Sequence, residues 1–252
     1  MSPDEENPAP VTLTFLGTGN FLTPGRYWNS FVMDDTVLVE PSPIALPHLR
    51  RCGLPIEHIE TVVISHFHPD HTFGWPFLLL EAALGKVGQT FSIVGPPGVE
   101  RFLEEMVELG GIPGVLAQAK ANLNLEFVEV DGTWQEAGAL RFRAIEVEHV
   151  PHLRCYGYLF ARDGRNIGYS GDTRPCDGLE ELAAACDVLV LECDGQHVEP
   201  HHHVSHMNED SVRQLRAAHA GTRFILTHMG EGVDASGIDN VVVPEDFDRL
   251  TV

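Results

Sequence analysis

The feature that most constrains the fold of this chain is a short polar segment, residues 65–71, with the sequence Ser-His-Phe-His-Pro-Asp-His. Residues 60–64 before it form a short, β-branched run that predicts a buried strand. Residues 77–84 after it are apolar except for Glu81 and predict a helix. The sequence therefore predicts a cluster of polar side chains on a loop at the carboxyl end of a strand.

Four side chains of this segment are good metal ligands. Imidazoles two residues apart in extended backbone point to the same side, so His66 and His68 can hold one ion together. Pro69 stiffens the turn that follows and places Asp70 and His71 a short distance further on. One ion does not comfortably take all four ligands, so the spacing favours two adjacent metal sites.

Further ligand types recur at later predicted strand ends. His149 ends a strand predicted at residues 140–147, Asp172 follows a predicted hairpin, and His228 follows residues 224–227. The alternative is a loop that happens to be rich in histidine, in a chain with 14 histidines, but it does not explain this recurrence. Strand, turn and helix alternate along the chain, which indicates an α/β fold with two sheets that meet at one edge.

The segments between the motifs give predictions of different kinds. Residues 99–109 carry apolar side chains at helical spacing, which predicts an amphipathic helix. Residues 110–122 are rich in Gly and Ala, and we expect either a mobile flap or a plain surface connection. Trp75, Phe77 and Leu80 can wall a pocket or fill the core, and the sequence leaves both roles open.

The composition predicts one globular domain over residues 1–252, with residues 1–10 as a flexible N-terminal tail. The start of the chain has neither a basic region nor an apolar segment, and no apolar run approaches the roughly 20 residues of a membrane span. We therefore expect a cytoplasmic protein with no membrane partner. The 5 cysteines form no CxxC pair and are odd in number, which favours reduced thiols.

The net charge of −21, with only 16 Lys and Arg residues, bears on the partners of the protein. Proteins bind nucleic acid largely by placing Lys and Arg against phosphates. The chain has no basic run, so a long RNA or DNA partner is disfavoured and a small-molecule substrate is expected. An acidic surface also serves solubility alone, and a homodimer stays open.

The order of the motifs resembles that of the metallo-β-lactamase-fold hydrolases. These motifs are HxHxDH at 66–71, the isolated His149, Gly-Asp-Thr at 171–173 and Leu-Thr-His at 226–228. The resemblance covers residues 11–230 and implies a four-layered αββα sandwich, in which helices flank two mixed sheets and the metals lie at one edge. The ligands that it implies are His66, His68 and His149 for one metal, Asp70, His71 and His228 for the other, and Asp172 as the bridge.

Within that superfamily the chain is similar to the ribonuclease Z and phosphodiesterase branch. The features that carry this similarity are Leu-Gly-Thr-Gly at 16–19, Arg26, Asn-Ser at 29–30, Ser-Gly-Asp-Thr at 170–173, Glu192 after a buried strand and His206 before a helix. In that branch a histidine at the position of His206 pairs with a glutamate at the position of Glu192, so the resemblance implies the same pair here.

The chain also departs from this branch. Residues 40–42, Glu-Pro-Ser, replace the usual Asp-x-Gly, which alters a support of the metal ligands. His149 lies further ahead of residues 156–158 than expected, so His152 competes with it for the ligand role, although His149 is favoured because it directly ends a strand. The basic arm that grips transfer RNA in ribonuclease Z has no visible counterpart, which again indicates a small substrate.

The resemblance implies a binuclear metal-dependent hydrolase. Zinc is the first choice of metal because the ligands are rich in histidine, and manganese or iron are alternatives. Two divalent ions would lower the pKa of a bridging water, which makes hydroxide the expected nucleophile. We expect a phosphodiesterase for a small phosphodiester, with Asp70 acting at the metals and with Glu192 and His206 supplying the proton donor for the leaving alcohol.

Other functions stay open at the level of the sequence. Hydrolysis of a lactone, thioester or β-lactam needs no such donor, and folds of this kind also host non-catalytic metal-binding and natural-product tailoring roles. Glu192 can instead hydrogen-bond a neighbouring group, and His206 can merely cap the helix. Residues 201–203, three consecutive histidines near His197, are either extra ligands or a solvated turn.

Overall fold

The structure of the chain is a computed structural model that describes residues 10–195 and 205–252. Residues 1–9, part of the expected N-terminal tail, and residues 196–204 lie outside the described residues. The described part contains two mixed sheets of seven strands each, with helices on their outer faces. The expected four-layered αββα sandwich is therefore confirmed.

Fourteen strands build the two sheets in the described part of the chain. They are β1 (Thr12–Gly17), β2 (Ser30–Met33), β3 (Val37–Val39), β4 (Thr61–Val63), β5 (Thr90–Gly95), β6 (Asn124–Glu129), β7 (Trp134–Ala137), β8 (Leu140–Val147), β9 (Cys155–Arg162), β10 (Arg165–Tyr169), β11 (Val188–Glu192), β12 (Arg223–Thr227), β13 (Val241–Val242) and β14 (Arg249–Thr251). The first sheet has the order β14-β1-β2-β3-β4-β5-β6 and the second has the order β13-β12-β11-β10-β9-β8-β7. Strands β3 to β6 and β10 to β13 pair in parallel, and the other pairs are antiparallel.

Seven α-helices connect these strands in the same described residues. They are α1 (Ala45–Arg51), α2 (Pro69–Thr72), α3 (Trp75–Gly85), α4 (Val99–Leu109), α5 (Pro113–Asn122), α6 (Asp177–Ala185) and α7 (Glu209–Ala218), with a 3-10 turn at Ile56–His58. Within the ranges that the structure describes, none of the helices combines the length and the apolar character needed to cross a membrane.

Side chains along the strands alternate between two apolar cores. In β2, Phe31 and Met33 enter the core between the sheets, while Val32 enters the core beneath the helices. In β11, Val190 faces the other sheet and Leu189 faces the helices of its own side. Successive strand residues point to opposite faces, so strands that are apolar on both faces must lie between two other layers.

The helices cover the outer face of each sheet with their apolar stripes. Leu49 of α1, Leu78 of α3 and Leu103 of α4 pack on the first sheet. Leu182 of α6 and Leu215 of α7 pack on the second. These contacts bury both outer faces and complete the four layers.

The expectation of an irregular segment at residues 110–122 is wrong, because α5 occupies most of it. Pro113 lies in the first turn of this helix, where its missing N–H removes no helical hydrogen bond. Ala119 is buried in the core that α5 shares with α3 and α4. The sequence obscures this helix because its one fully buried residue is the small Ala119, while Val115 and Leu116 pack on the core only partly buried.

Polar contacts tie the two sheets together at one edge. The Tyr158 hydroxyl donates to the carbonyl oxygen of Ile64 at 2.7 Å. The Asn29 side chain donates to the Tyr169 hydroxyl at 2.9 Å and accepts from the Thr227 hydroxyl at 2.6 Å. These bonds link the end of β4 to β9, and the start of β2 to the ends of β10 and β12. They fix the relative position of the strand ends from which the predicted ligands emerge.

Candidate metal centre

The structure brings all of the predicted metal ligands together at this tied edge. His66 and His68 lie in the loop after β4, Asp70 and His71 lie on α2, His149 follows β8, Asp172 follows β10 and His228 follows β12. Because β10, β11 and β12 run parallel, the residues after them reach the same edge of the sheet. Predicted ligands that are far apart in the sequence therefore form a single cluster in the structure.

The first group of ligand atoms belongs to three histidines. His66 Nε2 lies 3.0 Å from His68 Nδ1, and His149 Nε2 lies 3.3 Å from the same atom. A tetrahedral zinc site with bonds near 2.1 Å has ligand atoms about 3.4 Å apart. The three nitrogens therefore have the spacing of ligands around one ion. His152, the competing candidate, is exposed and is not part of this group.

The second group contains Asp70, His71 and His228. His71 Nε2 lies 3.4 Å from Asp70 Oδ2, and His228 Nε2 lies 3.7 Å from the same oxygen. Asp172 Oδ2 lies between the groups, at 3.3 Å from His71 Nε2, 3.4 Å from His228 Nε2 and 3.8 Å from His66 Nε2. One carboxylate oxygen is thus within ligand spacing of both groups, which is the position that a bridging ligand needs.

Several buried polar atoms of this cluster have no hydrogen-bond partner among the described residues. They include both ring nitrogens of His71, both ring nitrogens of His228 and Asp172 Oδ1. A buried polar group left without a partner costs about 1–3 kcal/mol, so native proteins rarely leave several together. Nitrogen and oxygen donors of this kind are the ligands of Zn²⁺ and related divalent ions. The residues present therefore fit a divalent metal centre.

Hydrogen bonds to the far sides of two rings orient them for this role. His149 Nδ1 lies 2.9 Å from the Ser205 carbonyl oxygen, and His66 Nδ1 lies 2.9 Å from the Ser65 hydroxyl. Because a carbonyl oxygen only accepts, His149 Nδ1 must carry the proton, which leaves the lone pair of Nε2 for a metal. Burial lowers the pKa of His149 to about 4 and also lowers that of His66, so both rings are neutral at physiological pH.

The second group has the opposite electrostatic character. Burial opposes the charged form of His71 and of His228, but the carboxylates of Asp172 and Asp70 act together against burial, and the pKa of both imidazoles is raised. In the metal-free protein these rings therefore hold protons that partly neutralise Asp70 and Asp172. Such a cluster of buried carboxylates favours a cation, and protons occupy the place of a metal ion when none is bound.

Glu40, which replaces the usual aspartate of the related branch, still reaches the cluster. It is fully buried and its backbone adopts φ 60°. Its Oε1 lies 3.5 Å from His71 Nδ1 and accepts from the Ser65 N–H at 3.2 Å. The longer side chain of Glu40 therefore contacts the nitrogen of His71 that points away from the other ligands. Glu40 thus supports this ligand although it is a different residue type from the expected aspartate.

A second polar network lies beside the predicted ligands and centres on Glu192. The carboxylate accepts backbone N–H groups from Thr173 at 3.0 Å, Asp194 at 3.0 Å and Met207 at 3.3 Å. It also lies 2.8 Å from His206 Nδ1. The predicted pairing of Glu192 with His206 is thus present in the geometry, inside a network that fixes the position of both side chains.

Asp194 is a site residue that the sequence analysis does not identify. Its Oδ2 lies 3.3 Å from His206 Nε2, and the Asn20 side-chain amide donates to its Oδ1. Gly230 packs directly against it, since a Cβ there would lie 1.7 Å from the Asp194 carbonyl oxygen. The signal in the sequence is its place just after the buried strand that ends at Glu192.

A cavity of about 500 Å³ opens over this centre. Its polar lining includes Asp172, Asp194, His206 and His228, and an aromatic side is formed by Phe21, Trp28 and Phe73. Of the aromatic residues considered from the sequence, Trp75 is in the core and Phe77 is exposed outside this cavity. The histidines at 197 and 201–203, suggested as extra ligands or a solvated turn, lie outside the described residues.

Comparison with known proteins places this geometry in context. The sequence profile described as the beta-lactamase superfamily domain matches residues 35–229, a span that contains every predicted metal ligand. Ribonuclease BN of Escherichia coli O157:H7 is 25% identical over 238 residues, which cover 73% of this chain and 75% of that protein.

Solved structures with the same fold include proteins of several kinds. The metallo-beta-lactamase fold protein YhfI from Bacillus subtilis aligns with a TM-score of 0.76 at 19% identity, over 97% of this chain and all of that one. The short form of human tRNase Z aligns with a TM-score of 0.74 at 21% identity, over 95% and 98% of the two chains. A diphosphatase from the PhnP family aligns with a TM-score of 0.73 at 20% identity, over 95% and 97%. At these identities the structures support the fold.

Proposed function

The chain belongs to the beta-lactamase superfamily and is a metal-dependent hydrolase, and we propose that it is a phosphodiesterase for a small phosphodiester. Its relatives and structural neighbours include a ribonuclease, a transfer-RNA nuclease and a diphosphatase, whose names all denote cleavage at phosphate. The reaction of this chain is argued from its own site, because shared folds host many reactions.

The metal centre that we propose uses two divalent ions, with zinc as the first choice and manganese or iron as alternatives. The residues that would hold them are His66, His68 and His149, then Asp70, His71 and His228, with Asp172 between the two groups. When bound, such ions acidify coordinated water and polarise a phosphoryl oxygen. The chain itself fixes the spacing of the ligands, because they lie at the buried edge where hydrogen bonds join the two sheets.

The observation that carries the phosphodiesterase proposal is the position of His206. Its ligand atom lies within 4.8 Å of those of Asp172 and His228, so the ring stands at the centre itself and faces the cavity. Burial opposes its charged form, but the carboxylates of Glu192, Asp172 and Asp194 together outweigh burial and raise the pKa of His206 to about 10. Bound cations would bring this pKa down toward neutrality. His206 is thereby placed to give a proton to a departing alkoxide.

A proton donor is what separates a phosphodiester from the other substrate classes considered. An alkyl alcohol leaves a phosphodiester poorly unless it is protonated, whereas a strained lactone or β-lactam can open without that help. The Glu192 and His206 pair would have no catalytic task in the second kind of reaction. Its presence beside the metal ligands therefore favours the phosphodiester.

The experiment that tests this proposal replaces His206 with Ala and varies the leaving group. We expect His206→Ala to keep its metal content and to lose roughly a hundredfold or more in turnover of an alkyl diester. With bis(p-nitrophenyl) phosphate the loss should be much smaller, because p-nitrophenolate leaves without a proton. His152→Ala is the matched control, since that imidazole is exposed and lies outside the ligand groups.

Three results would contradict parts of the proposal. Equal losses on both diesters would reject the donor role of His206 and leave only positioning. Loss of metal in His206→Ala would make it a support of the ligands. Turnover of a lactone panel by the metal-loaded enzyme, with none on any diester, would overturn the phosphodiesterase proposal in favour of lactone-type hydrolysis.

A further inference from the structure

The aromatic side of the cavity has no explanation in the metal chemistry. Phe21, Trp28 and Phe73, which we call the aromatic wall, line the same space as Asp172 and His206. Phe21 is 57% exposed and Phe73 is 49% exposed, so neither ring belongs to the buried core. Exposed apolar surface beside polar groups in a concave site is typical of a surface that binds a ligand.

The backbone around Phe21 is fixed before any ligand binds. The Asn20 side-chain oxygen accepts the N–H groups of Leu22 and Thr23, both at 2.8 Å. The Thr23 hydroxyl donates to the Met229 carbonyl oxygen at 2.8 Å, which joins this loop to the residue after His228. Phe21 is therefore presented on a braced turn, and a braced aromatic side chain loses little conformational entropy when it makes contacts.

The backbone of Phe73 is also fixed by local contacts. Its N–H donates to the Pro69 carbonyl oxygen at 2.9 Å, so the ring directly follows the helical turn that carries Asp70 and His71. The next residue, Gly74, packs so closely that a Cβ there would lie 2.1 Å from the Ser42 carbonyl oxygen. The position of Phe73 relative to the metal ligands is thus set by the backbone.

The charges of the cavity limit what else the ligand carries. The described residues that line the cavity include Asp70, Asp172 and Asp194 but no Lys or Arg. Residues 1–9 and 196–204, which the structure does not describe, contain no Lys or Arg in their sequence either. Additional phosphates would therefore find no guanidinium or ammonium group here, although such groups are the usual partners of phosphates outside a metal centre.

We infer that the aromatic wall binds a planar aromatic group of the substrate, either a nucleobase or an aryl ring, while a single phosphoryl group lies at the metal centre. This inference rests on the proposed function and specifies its substrate class. Stacking of a base on an aromatic side chain is sequence-tolerant and strong enough to decide affinity. The substrate is then a small diester with one aromatic group and an alkyl alcohol as its leaving group, and neither a polyphosphate nor a diester that lacks an aromatic group.

The test measures binding to the metal-loaded protein by calorimetry, with two pairs of anions. Phenylphosphonate and methylphosphonate share one head group, and benzoate and acetate share another, so the metal contribution cancels within each pair. We expect the aromatic member of at least one pair to bind about tenfold tighter or more. Phe21→Ala and Phe73→Ala should reduce that ratio severalfold, and Phe77→Ala should leave it unchanged. Phe77 is the matched control because it is 62% exposed and lies outside the cavity.

The outcomes separate this inference from the proposed function. No aromatic preference in either pair, or a preference that Phe21→Ala and Phe73→Ala leave intact, overturns the inference even if diesters are hydrolysed. A preference that depends on the wall supports it even if diester turnover fails, which would overturn only the phosphodiesterase proposal. A change of oligomeric mass in Phe21→Ala with an unchanged ratio would show that the wall seats a second copy of the chain and would overturn the inference.

Discussion

Replacement of Glu192 with Gln should destabilise the protein far more than its near-identical shape suggests. The native carboxylate is 1% exposed, and its two oxygens have different partners. Oε1 accepts from the N–H groups of Thr173 and Met207 and faces His206 Nδ1, whereas Oε2 accepts from the Asp194 N–H at 3.0 Å. All of these partners donate, and a carboxylate is the only side-chain group of this size with two acceptors.

An amide can satisfy only one side of this arrangement. If its oxygen takes the place of Oε1, its NH₂ group faces the Asp194 N–H, donor against donor. The opposite orientation is worse, because the NH₂ group then faces the N–H groups of Thr173 and Met207. One orphaned buried N–H costs about 1–3 kcal/mol, and the weakened bond to His206 adds roughly 1 kcal/mol. We therefore expect Glu192→Gln to lower the free energy of unfolding by about 2–4 kcal/mol.

Urea denaturation of the metal-loaded protein, with linear extrapolation, measures this change. Glu148→Gln is the control, because Glu148 is exposed and pairs with Arg174 at the surface, where such a pair contributes about 0.5 kcal/mol. Glu192→Gln should also lower the pKa of His206, since Glu192 contributes most among the carboxylates that raise it. Turnover of an alkyl diester should then fall more than that of bis(p-nitrophenyl) phosphate. Equal stability of Glu192→Gln and Glu148→Gln would refute the hydrogen-bond argument.

Three further predictions concern the metal ions and the substrate. Asp172→Ala should lose at least one of the two proposed ions, because one oxygen of this side chain lies within ligand spacing of both groups, and full occupancy by elemental analysis would show that Asp172 is not the bridge. Metal affinity should fall as the pH drops from about 8 to 6, because the raised pKa values of His71 and His228 mean that a metal must displace protons from them. Calorimetry in buffers of different ionisation enthalpy measures that proton release, and a dissociation constant independent of pH would contradict it. Precursor transfer RNA should bind weakly and in a salt-sensitive way because of the net charge of −21, and efficient removal of a 3′ trailer at physiological salt would contradict this expectation.

Much of the candidate site could be predicted from the sequence because its information is local. His66, His68, Asp70 and His71 lie within six residues, and a buried strand before them fixes where they emerge. His149 could be preferred to His152 by the same reasoning, since it directly follows a strand. Parallel and antiparallel strands that end at one edge then convert separate local signals into one cluster.

The supporting residues could not be predicted in this way, because their roles depend on contacts between distant parts of the chain. Glu40 contacts His71 only because its backbone turns through a positive φ at the end of β3. Asp194 contacts His206 and Asn20, and no periodicity or motif in the sequence connects these three positions. The same limit explains α5, whose one fully buried residue is an alanine.

The aromatic wall shows most clearly where sequence patterns stop being informative. Phe21, Trp28 and Phe73 belong to loops, and loops have no apolar periodicity from which burial or exposure can be inferred. Trp75 and Phe77 follow the same motif and are equally good candidates from the sequence, yet one is in the core and the other is exposed outside the cavity. The distinction arises because Gly74 packs against Ser42 and thereby fixes the chain direction between Phe73 and the helix. The metal ligands are thus specified by their spacing, whereas the residues that would select the substrate are specified by how two loops pack around them.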